Sequence, residues 1–168
     1  TPENDNYKAK SGSVSVTISK VSLTPSVSVS NKTYDGGTSA TCTVTLTGAV
    51  NSESPTATAT GTFADKNVGT GKTVTCASIT LGSSWTTNYS LSATSKTTTA
   101  NITAKPLTIT ANAQTITYGS SIATGTGQVT ISGLVSGDSL TAITLTPSTS
   151  NAGSGTITPS AATIKNSS

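Results

Sequence analysis

The residues of this 168-residue chain that could carry chemistry are two cysteines, six carboxylates and nine lysines. The chain has no histidine and no arginine. Histidine is the usual general base near neutral pH and the commonest metal ligand, so its absence argues against a hydrolase and against a metal centre. Without arginine the chain has no bidentate clamp for phosphate, and its lysines are scattered, which argues against nucleic-acid binding. We therefore predict no catalytic residue, no cofactor and no metal site.

The two cysteines are placed to form a crosslink. Cys42 has the parity of Val44, and Cys76 has the parity of Val74, so both side chains should point into one core. Thirty-three residues lie between them, and closing such a loop stabilises a fold by about 3–4 kcal/mol in the chain-entropy treatment. The alternative is two free buried thiols that act as small apolar side chains. We favour the disulfide, which implies export to an oxidising compartment.

Lysine and asparagine side chains offer a second possible crosslink, an isopeptide bond formed in an apolar core beside a helper carboxylate. This chemistry requires a neutral amine, which burial favours, and an acid to move protons. The sets that fit are Lys32 or Lys66 with Asn67, assisted by Asp35 or Asp65. All five residues fall in turn-like segments, so we expect solvated lysines instead. In one of these segments Asp65 can accept a hydrogen bond from the backbone amide two residues on and so close a loop around Lys66 and Asn67.

Trp85, together with Tyr89, is the candidate contact for a ligand. It lies in the probable loop Gly82–Thr87, close to Tyr89, and an exposed tryptophan there could stack on a sugar ring. The alternative is that the indole packs over the end of a sheet, which we favour.

Alternation of apolar residues with Ser and Thr defines the elements that must position these groups. The chain has 38 threonines and 28 serines, and threonine suits the solvated face of a sheet. No apolar stripe of helical period is present, so the pattern predicts an all-β chain of about eleven short strands with little or no helix. A change of parity at Ala77-Ser78 predicts a bulge or bend. The alternating runs comprise Val14, Val16 and Ile18; Val27 and Val29; Cys42, Val44 and Leu46; Ala57 and Ala59; Val74 and Cys76; Ile79 and Leu81; Ala100 and Ile102; Leu107 and Ile109; Ile116 and Tyr118; Val129 and Ile131; and Ile143 and Leu145.

An internal repeat organises the chain. Asn6-Tyr7 recurs as Asn88-Tyr89, Ile18-Ser19-Lys20 recurs as 102–105, and Tyr34-Asp35-Gly36 has a counterpart in Tyr118-Gly119. We expect residues 1–20 to be the closing hairpin of a preceding repeat or an inter-repeat strand. Residues 21–104 form one unit, and residues 105–168 form a second unit that lacks its closing Asn-Tyr strand. The equivalent tyrosines Tyr7, Tyr34, Tyr89 and Tyr118, and the turn residues Asp35, Gly36 and Gly119, are predicted to be structural.

These landmarks resemble two known families. Residues 31–37, 61–69, 72–74, 88–89 and 100–103 resemble the YDG repeat of large bacterial surface adhesins and filamentous-haemagglutinin-like proteins. Residues 105–109, 118–119 and 133–138 resemble the MBG repeat of the YGX type, which often follows it. The resemblance implies an extracellular, multi-repeat adhesin or surface fibre whose modules have no enzymatic activity.

Two functions follow from this resemblance. In the first, the modules are rigid spacers of a bacterial surface stalk, with neighbouring repeats of the same chain, and other copies in a fibre, as partners. In the second, the modules bind host glycan or matrix protein through the loop around Trp85. No stretch is apolar enough to span a membrane. Each unit is predicted to be a small immunoglobulin-like β-sandwich, or in the second unit a β-grasp variant with a short helix near Leu134–Leu140.

Overall fold

A computed structural model describes residues 11–167, and it is built of β-strands and connecting loops, so the all-β prediction is confirmed. Two single turns of 3₁₀ helix, Ser83–Trp85 and Thr126–Gln128, interrupt the strands. The strands are β1 (Val21–Val29), β2 (Lys32–Thr33), β3 (Ser39–Ala40), β4 (Cys42–Thr47), β5 (Ala57–Phe63), β6 (Gly69–Leu81), β7 (Tyr89–Leu91), β8 (Lys96–Thr103), β9 (Thr108–Ala111), β10 (Val129–Ser132), β11 (Ser139–Pro147) and β12 (Ile157–Lys165).

The first unit, β1–β8, consists of two sheets. A three-stranded sheet has the order β4-β1-β7, in which β1 runs antiparallel to β4 and parallel to β7. A five-stranded sheet has the order β2-β8-β6-β5-β3, in which β8 runs antiparallel to β6 and parallel to β2. The Asn-Tyr motif of the repeat therefore lies at the start of β7, which pairs with β1. The next strand, β8, lies between β2 and β6 in the larger sheet.

The core of this unit forms on the apolar faces of the alternating strands. Phe63, Val74, Ala100 and Ile102 make a buried cluster on β5, β6 and β8, and Val29 of the other sheet packs against it. Each strand contributes only one side to this cluster, because the opposite side carries threonine and serine in contact with water. Burial is therefore concentrated in a small number of side chains.

A disulfide bond between Cys42 and Cys76 joins the two sheets. Cys42 begins β4, Cys76 lies in β6, and their Cα atoms are 6.1 Å apart. Gly61 makes room for the bond, because a Cβ atom built on it would lie 2.8 Å from the Cys42 sulfur and 2.5 Å from the Ala40 carbonyl oxygen. The crosslink thus holds the two sheets together where the apolar layer between them is thin.

The parity change at Ala77-Ser78 is a β-bulge, as predicted. Thr58 pairs with Thr80 and Thr60 pairs with Ala77, so β6 contains one residue more than β5 at this point. Ser78 adopts a φ of +52°, which accommodates the extra residue. The bulge lets Cys76 and Ile79 both face the core, and both are at most 1% exposed.

The second unit, β9–β12, is much less buried. It consists of the pairs β10-β9 and β11-β12, both antiparallel, and Leu145 is its one buried hydrophobic residue among the described residues. The short helix expected near Leu134–Leu140 does not form, since this segment is a loop and turn leading into β11. These sheets do not show an immunoglobulin-like sandwich.

Two predicted strands do not form, and one long strand was not predicted. The run Val14, Val16 and Ile18 forms no strand, and these side chains are 95%, 84% and 90% exposed. The run Ile116 and Tyr118 also lies outside any strand. Conversely β12 is a nine-residue strand that alternation did not reveal. A strand needs a hydrogen-bonding partner, and alternation alone does not say whether one is present. The Asn6-Tyr7 part of the expected N-terminal hairpin lies outside the described residues.

Neither a membrane-spanning helix nor a metal-binding cluster occurs among residues 11–167. None of the helical turns within residues 11–167 is long and apolar enough to cross a bilayer. In the same range no group of three or more Cys, Asp or Glu side chains is arranged to hold a metal ion.

The crosslink between the sheets predicts a loss of stability on reduction. Replacing Cys42→Ser and Cys76→Ser together should lower the free energy of unfolding by about 3–4 kcal/mol, because the unfolded chain regains the entropy that the loop closure removed. Urea denaturation followed by fluorescence of Trp85, which lies in the same unit, measures this change. The control is Thr43→Ser with Thr75→Ser, which changes exposed residues next to the two cysteines on the same strands and should leave the midpoint of Trp85 unchanged. For the cysteine variant, an unchanged midpoint would contradict a stabilising role.

Candidate functional site

The turn after β2 positions a charged group against the core. The Lys32 ammonium donates to the Asp35 carboxylate at 2.8 Å and to the Gly37 carbonyl at 2.7 Å, and it lies 5.4 Å from the centre of the Phe63 ring. Asp35 Oδ1 also accepts the Gly37 N–H at 2.9 Å. These two hydrogen bonds hold the pKa of Asp35 below its usual value, and the bond from Lys32 has the larger effect. The Lys32 side chain is only 17% exposed, so it braces the turn instead of extending into solvent.

Tyr34 and Gly36 of this turn face the second unit. The Tyr34 hydroxyl donates to Asp138 Oδ2 at 3.0 Å, across 104 residues of sequence. A Cβ atom built on Gly36 would lie 2.9 Å from Cγ1 of Val135, and Gly36 has a φ of +81°. Glycine is therefore required here both by the backbone conformation and by the close approach of the second unit.

Asp138 collects several donors at this contact. Its Oδ1 atom accepts the Ser167 N–H at 2.8 Å, and its Oδ2 atom accepts the Tyr34 hydroxyl. The Lys66 ammonium donates to the Ser167 carbonyl oxygen and, at 3.3 Å, to its hydroxyl. We refer to Tyr34, Lys66, Asp138 and Ser167 as the junction cluster. It ties two loops of the first unit to a turn and the C-terminal segment of the second.

The titration of the junction cluster reflects these bonds. The pKa of Asp138 is lowered, chiefly because the Ser167 N–H stabilises the carboxylate, and the Tyr34 hydroxyl adds to this effect. The pKa of Tyr34 is raised by its burial and then by donating to Asp138. Both shifts favour the same state, a charged Asp138 that accepts from a neutral Tyr34.

A cleft of about 430 Å³ lies beside the junction cluster. It is lined by Tyr34, Asn67, Val68, Ala104, Lys105 and Asn166. The contacts between the units beside this cleft are hydrogen bonds, one of them donated by the Lys66 ammonium to the Ser167 carbonyl.

The other isopeptide candidates are also engaged in polar contacts. Asp65 accepts a hydrogen bond from the Lys72 ammonium at 2.6 Å and another from the Asn67 N–H at 2.8 Å. Both bonds lower the pKa of Asp65, and the bond from Lys72 has the larger effect. The second of these bonds is the loop-closing contact that the sequence predicted for Asp65. The Lys66 ammonium points to Ser167 of the second unit, and its neighbour Asn67 is not among its hydrogen-bond partners.

Of the two residues predicted to contact a ligand, only Trp85 reaches the surface. Trp85 ends the 3₁₀ turn Ser83–Trp85 and is half-buried, with its ring edge-on to Tyr89 at 6.2 Å between centroids. Tyr89 is 2% exposed, so its ring cannot stack on a sugar. The expectation that Tyr89 binds ligand must be corrected, because its ring fills the core beside β1.

The Tyr89 hydroxyl anchors the loop after β4. It donates to the Glu53 carboxylate and accepts the Val50 N–H at 3.2 Å. The bond to Glu53 is the main reason that the pKa of Tyr89 is raised. Tyr34 and Tyr89 thus both use their hydroxyl groups to hold a loop, whereas Tyr118, at the position equivalent to Tyr34, is 74% exposed and Gly119 after it has a φ of +87°.

Asp138, Ser167 and Val135 take part in the contact between the units, and sequence reasoning did not identify them. They lie more than 90 residues from the loops they contact, and nothing local marks a turn aspartate as the acceptor for a distant tyrosine. The one signal in the sequence was the repeated Tyr-Gly motif. Its recurrence could have indicated that the turn that carries Tyr34 has a role beyond its own unit.

Comparisons with known proteins divide the chain into two parts. Residues 18–99 match the family model of the YDG domain, and residues 107–166 match the MBG domain of the YGX type. No curated protein and no solved structure matches the chain. Both matched domains are repeat-type, non-catalytic modules typical of bacterial surface repeat proteins, and no catalytic family matches.

The junction cluster predicts a specific pH dependence. A carboxylate whose pKa is lowered on folding adds stability above the ordinary aspartate value of about 3.9 and loses it as the pH falls through the lowered pKa. Asp138 should therefore titrate below the ordinary value, and Tyr34→Phe should raise its pKa part of the way back, leaving the Ser167 contribution. Carbon NMR of the Asp138 carboxyl measures this shift.

Tyr118→Phe is the matched control for this titration, because it removes the same hydroxyl from the equivalent, exposed tyrosine. It should leave the pKa of Asp138 unchanged. If Asp138 has an ordinary pKa in the unmodified chain, the contact between the units does not form as described.

Proposed function

Because residues 18–99 are a YDG domain and residues 107–166 are an MBG domain of the YGX type, we propose that the chain is a spacer in the stalk of a bacterial surface adhesin or extracellular fibre. In this role it keeps a distal binding region at a fixed distance from the bacterial surface. The observation that carries this proposal is the junction cluster, which fixes the two domains to each other at two points.

The connection between the domains supports a stiff joint. β8 ends at Thr103 and β9 begins at Thr108, so only residues 104–107 connect the domains, and Pro106 restricts the backbone within them. The Tyr34 N–H donates to the Thr103 carbonyl at 2.8 Å, which fixes the start of this connection to the turn that carries Tyr34. A short, restricted linker combined with contacts on both sides limits bending.

The chemistry of the chain suits the extracellular space. A disulfide bond persists in oxidising surroundings, and both domains are of kinds found in surface repeat proteins. The outward faces of the strands carry threonine and serine, which hydrate well without creating charged patches. These properties favour an exported protein that is surrounded by solvent and has a structural role.

An adhesive role is a second candidate, favoured by Trp85. This residue is the only tryptophan, and it is half-buried on a 3₁₀ turn at one edge of the first domain. The Lys20 ammonium donates to the neighbouring Thr86 carbonyl at 2.6 Å, so a cation lies close to this turn. An aromatic ring with adjacent polar groups is an arrangement that binds sugars, and host glycan is the ligand this role would require.

The spacer proposal predicts that the two domains tumble as one body. Residual dipolar couplings from both domains should fit a single alignment tensor, and Lys66→Ala with Asp138→Ala should split them into two tensors by removing the junction contacts. The control is Lys96→Ala with Glu53→Ala, which removes one ammonium and one carboxylate from the first domain at positions away from the junction. Independent alignment of the domains in the unmodified chain would refute a stiff spacer.

The adhesive candidate predicts binding that depends on one ring. Host glycans immobilised on an array should bind the chain, and Trp85→Ala should reduce that binding by about two- to tenfold, since an aromatic stacking contact contributes about 0.5–1.5 kcal/mol. Tyr118→Ala is the control because Tyr118 is an exposed aromatic of the second domain. Absence of binding, or equal loss with both variants, would count against this role.

A further inference from the structure

The first and last strands of the YDG domain run side by side in the same direction. β1 pairs in parallel with β7, and β2 pairs in parallel with β8. Only Ser30 and Asn31 separate β1 from β2, and neither lies in a turn. We refer to residues 21–34 as the entry segment and to residues 88–103 as the exit segment. The two segments are hydrogen-bonded to each other at two places along their length.

The first of these contacts lies at the start of both segments. The Val21 N–H donates to the Asn88 carbonyl oxygen at 2.9 Å, and the Ser92 N–H donates to the Leu23 carbonyl oxygen at 2.9 Å. The side chains of Leu23 and Tyr89 in this pairing are at most 2% exposed. The core therefore shields one face of this contact from water.

The second contact lies at the end of both segments. The Asn101 N–H donates to Asn31 Oδ1 at 2.7 Å, and the Tyr34 N–H donates to the Thr103 carbonyl oxygen at 2.8 Å. The Thr103 hydroxyl donates to the Lys32 carbonyl oxygen at 3.3 Å. Backbone and side-chain groups of the entry segment thus hold the last residues of the exit segment. We refer to the two contacts together as the terminal clamp.

The direction of the strands determines how a pull along the chain acts on the terminal clamp. The chain enters β1 at Val21 and leaves β8 at Thr103 toward the second domain. Tension therefore pulls the entry segment toward its N-terminal end and the exit segment toward its C-terminal end. Because the segments are parallel, these pulls are opposed along a common strand direction, and the hydrogen bonds that cross between the strands are loaded together. A pull at the open end of an antiparallel hairpin instead breaks such bonds one after another.

The disulfide bond joins the strands that lie next to the two segments. Cys42 of β4 lies opposite Val29 of β1, and Cys76 of β6 lies opposite Lys96 of β8. Residues 43–75 lie between the two cysteines, so tension in an opened domain passes through the sulfur atoms and not through this loop. The bond thus limits how far the domain can extend once the terminal clamp has opened.

We propose that the YDG domain bears tension through the terminal clamp, which is loaded in shear, and that the Cys42–Cys76 bond limits extension after the clamp opens. This inference rests on the proposed spacer role, because a stalk that holds a bound distal region carries load along its chain. Resistance to a pull then comes from the direction of the strands, so that a domain with a small core can still withstand tension.

The first test compares two pulling directions on the full chain by single-molecule force spectroscopy. Handles at Ser19 and Ala104 load the terminal clamp, whereas handles at Thr58 and Thr80, which lie opposite each other in β5 and β6, peel a hairpin apart. All four side chains are exposed. At equal pulling speed the first pair of handles should require a severalfold higher rupture force, because the hydrogen bonds of the clamp share the load. An equal or lower force would overturn the clamp.

The second test measures the length released with and without dithiothreitol. The two cysteines are 34 positions apart in sequence and 6.1 Å apart at their Cα atoms. With the handles at Ser19 and Ala104, reduction should therefore lengthen the unfolded domain by about 110 Å, at an extended rise of about 3.4 Å per residue. An unchanged length would overturn the role given to the disulfide bond.

A single substitution tests the hydrogen bonds of the clamp. Asn31→Ala removes the acceptor of the Asn101 N–H and should shorten the lifetime of the domain under constant force about fivefold, the factor for one hydrogen bond of ordinary net strength. The control Thr60→Val removes the hydroxyl that donates to the Ala77 carbonyl between β5 and β6, and it should keep the lifetime. Circular dichroism should show both variants folded. Equal lifetimes of the two variants would contradict the proposed load path.

The outcome for the clamp is distinguishable from the outcome for the spacer role. Domains that share one alignment tensor but rupture as easily from Ser19 and Ala104 as across the hairpin would overturn the clamp and leave the stiff spacer intact. Two independent tensors with a high rupture force from the same handles would refute the stiff joint and support the clamp.

Discussion

Scarcity of apolar side chains is the constraint that shapes this protein. Hydrophobic residues make up 32% of the chain, and 66 of the 168 positions are threonine or serine. Each strand can therefore bury one face only, and two sheets must lie against each other to remove even a small area from water. In the first domain this produces a cluster of a few side chains, and the Cys42–Cys76 bond, which joins the sheets directly, supplements the limited hydrophobic stabilisation.

The two domains respond to this constraint differently. The first is closed, because β7 and β8 complete its sheets and bury Tyr89, Ala100 and Ile102. The second consists of two pairs of strands with a single buried residue, Leu145, among those described, and it has no crosslink. Its contact with the first domain, through Asp138 and Ser167, therefore contributes more to its order than a similar contact would in a domain with a full core.

Polar contacts between the domains and a hydroxyl-rich surface together suit a mechanical role. The junction uses a tyrosine hydroxyl, a carboxylate and an ammonium group, which define direction and register more strictly than apolar packing does. The same tyrosine belongs to the Tyr-Asp-Gly motif of the repeat, whose aspartate holds Lys32 and whose glycine admits Val135. One short motif thereby stabilises a turn of its own domain and contacts the domain that follows. A motif that repeats along a chain can in this way set the angle between successive domains.

The all-β character, the bulge at Ser78, the Asp65 loop and the pairing of the cysteines could be predicted from the sequence, because each depends on the parity or chemistry of neighbouring residues. The motifs of the sequence also indicated the two families, whose models match residues 18–99 and 107–166. Tertiary structure alone decided that Tyr34 binds Asp138, that Tyr89 is buried, and that the runs at Val14–Ile18 and Ile116–Tyr118 remain outside strands. These outcomes depend on which groups approach from distant parts of the chain. Alternation specifies which side of a strand is apolar, but only the presence of a partner edge decides whether that strand forms.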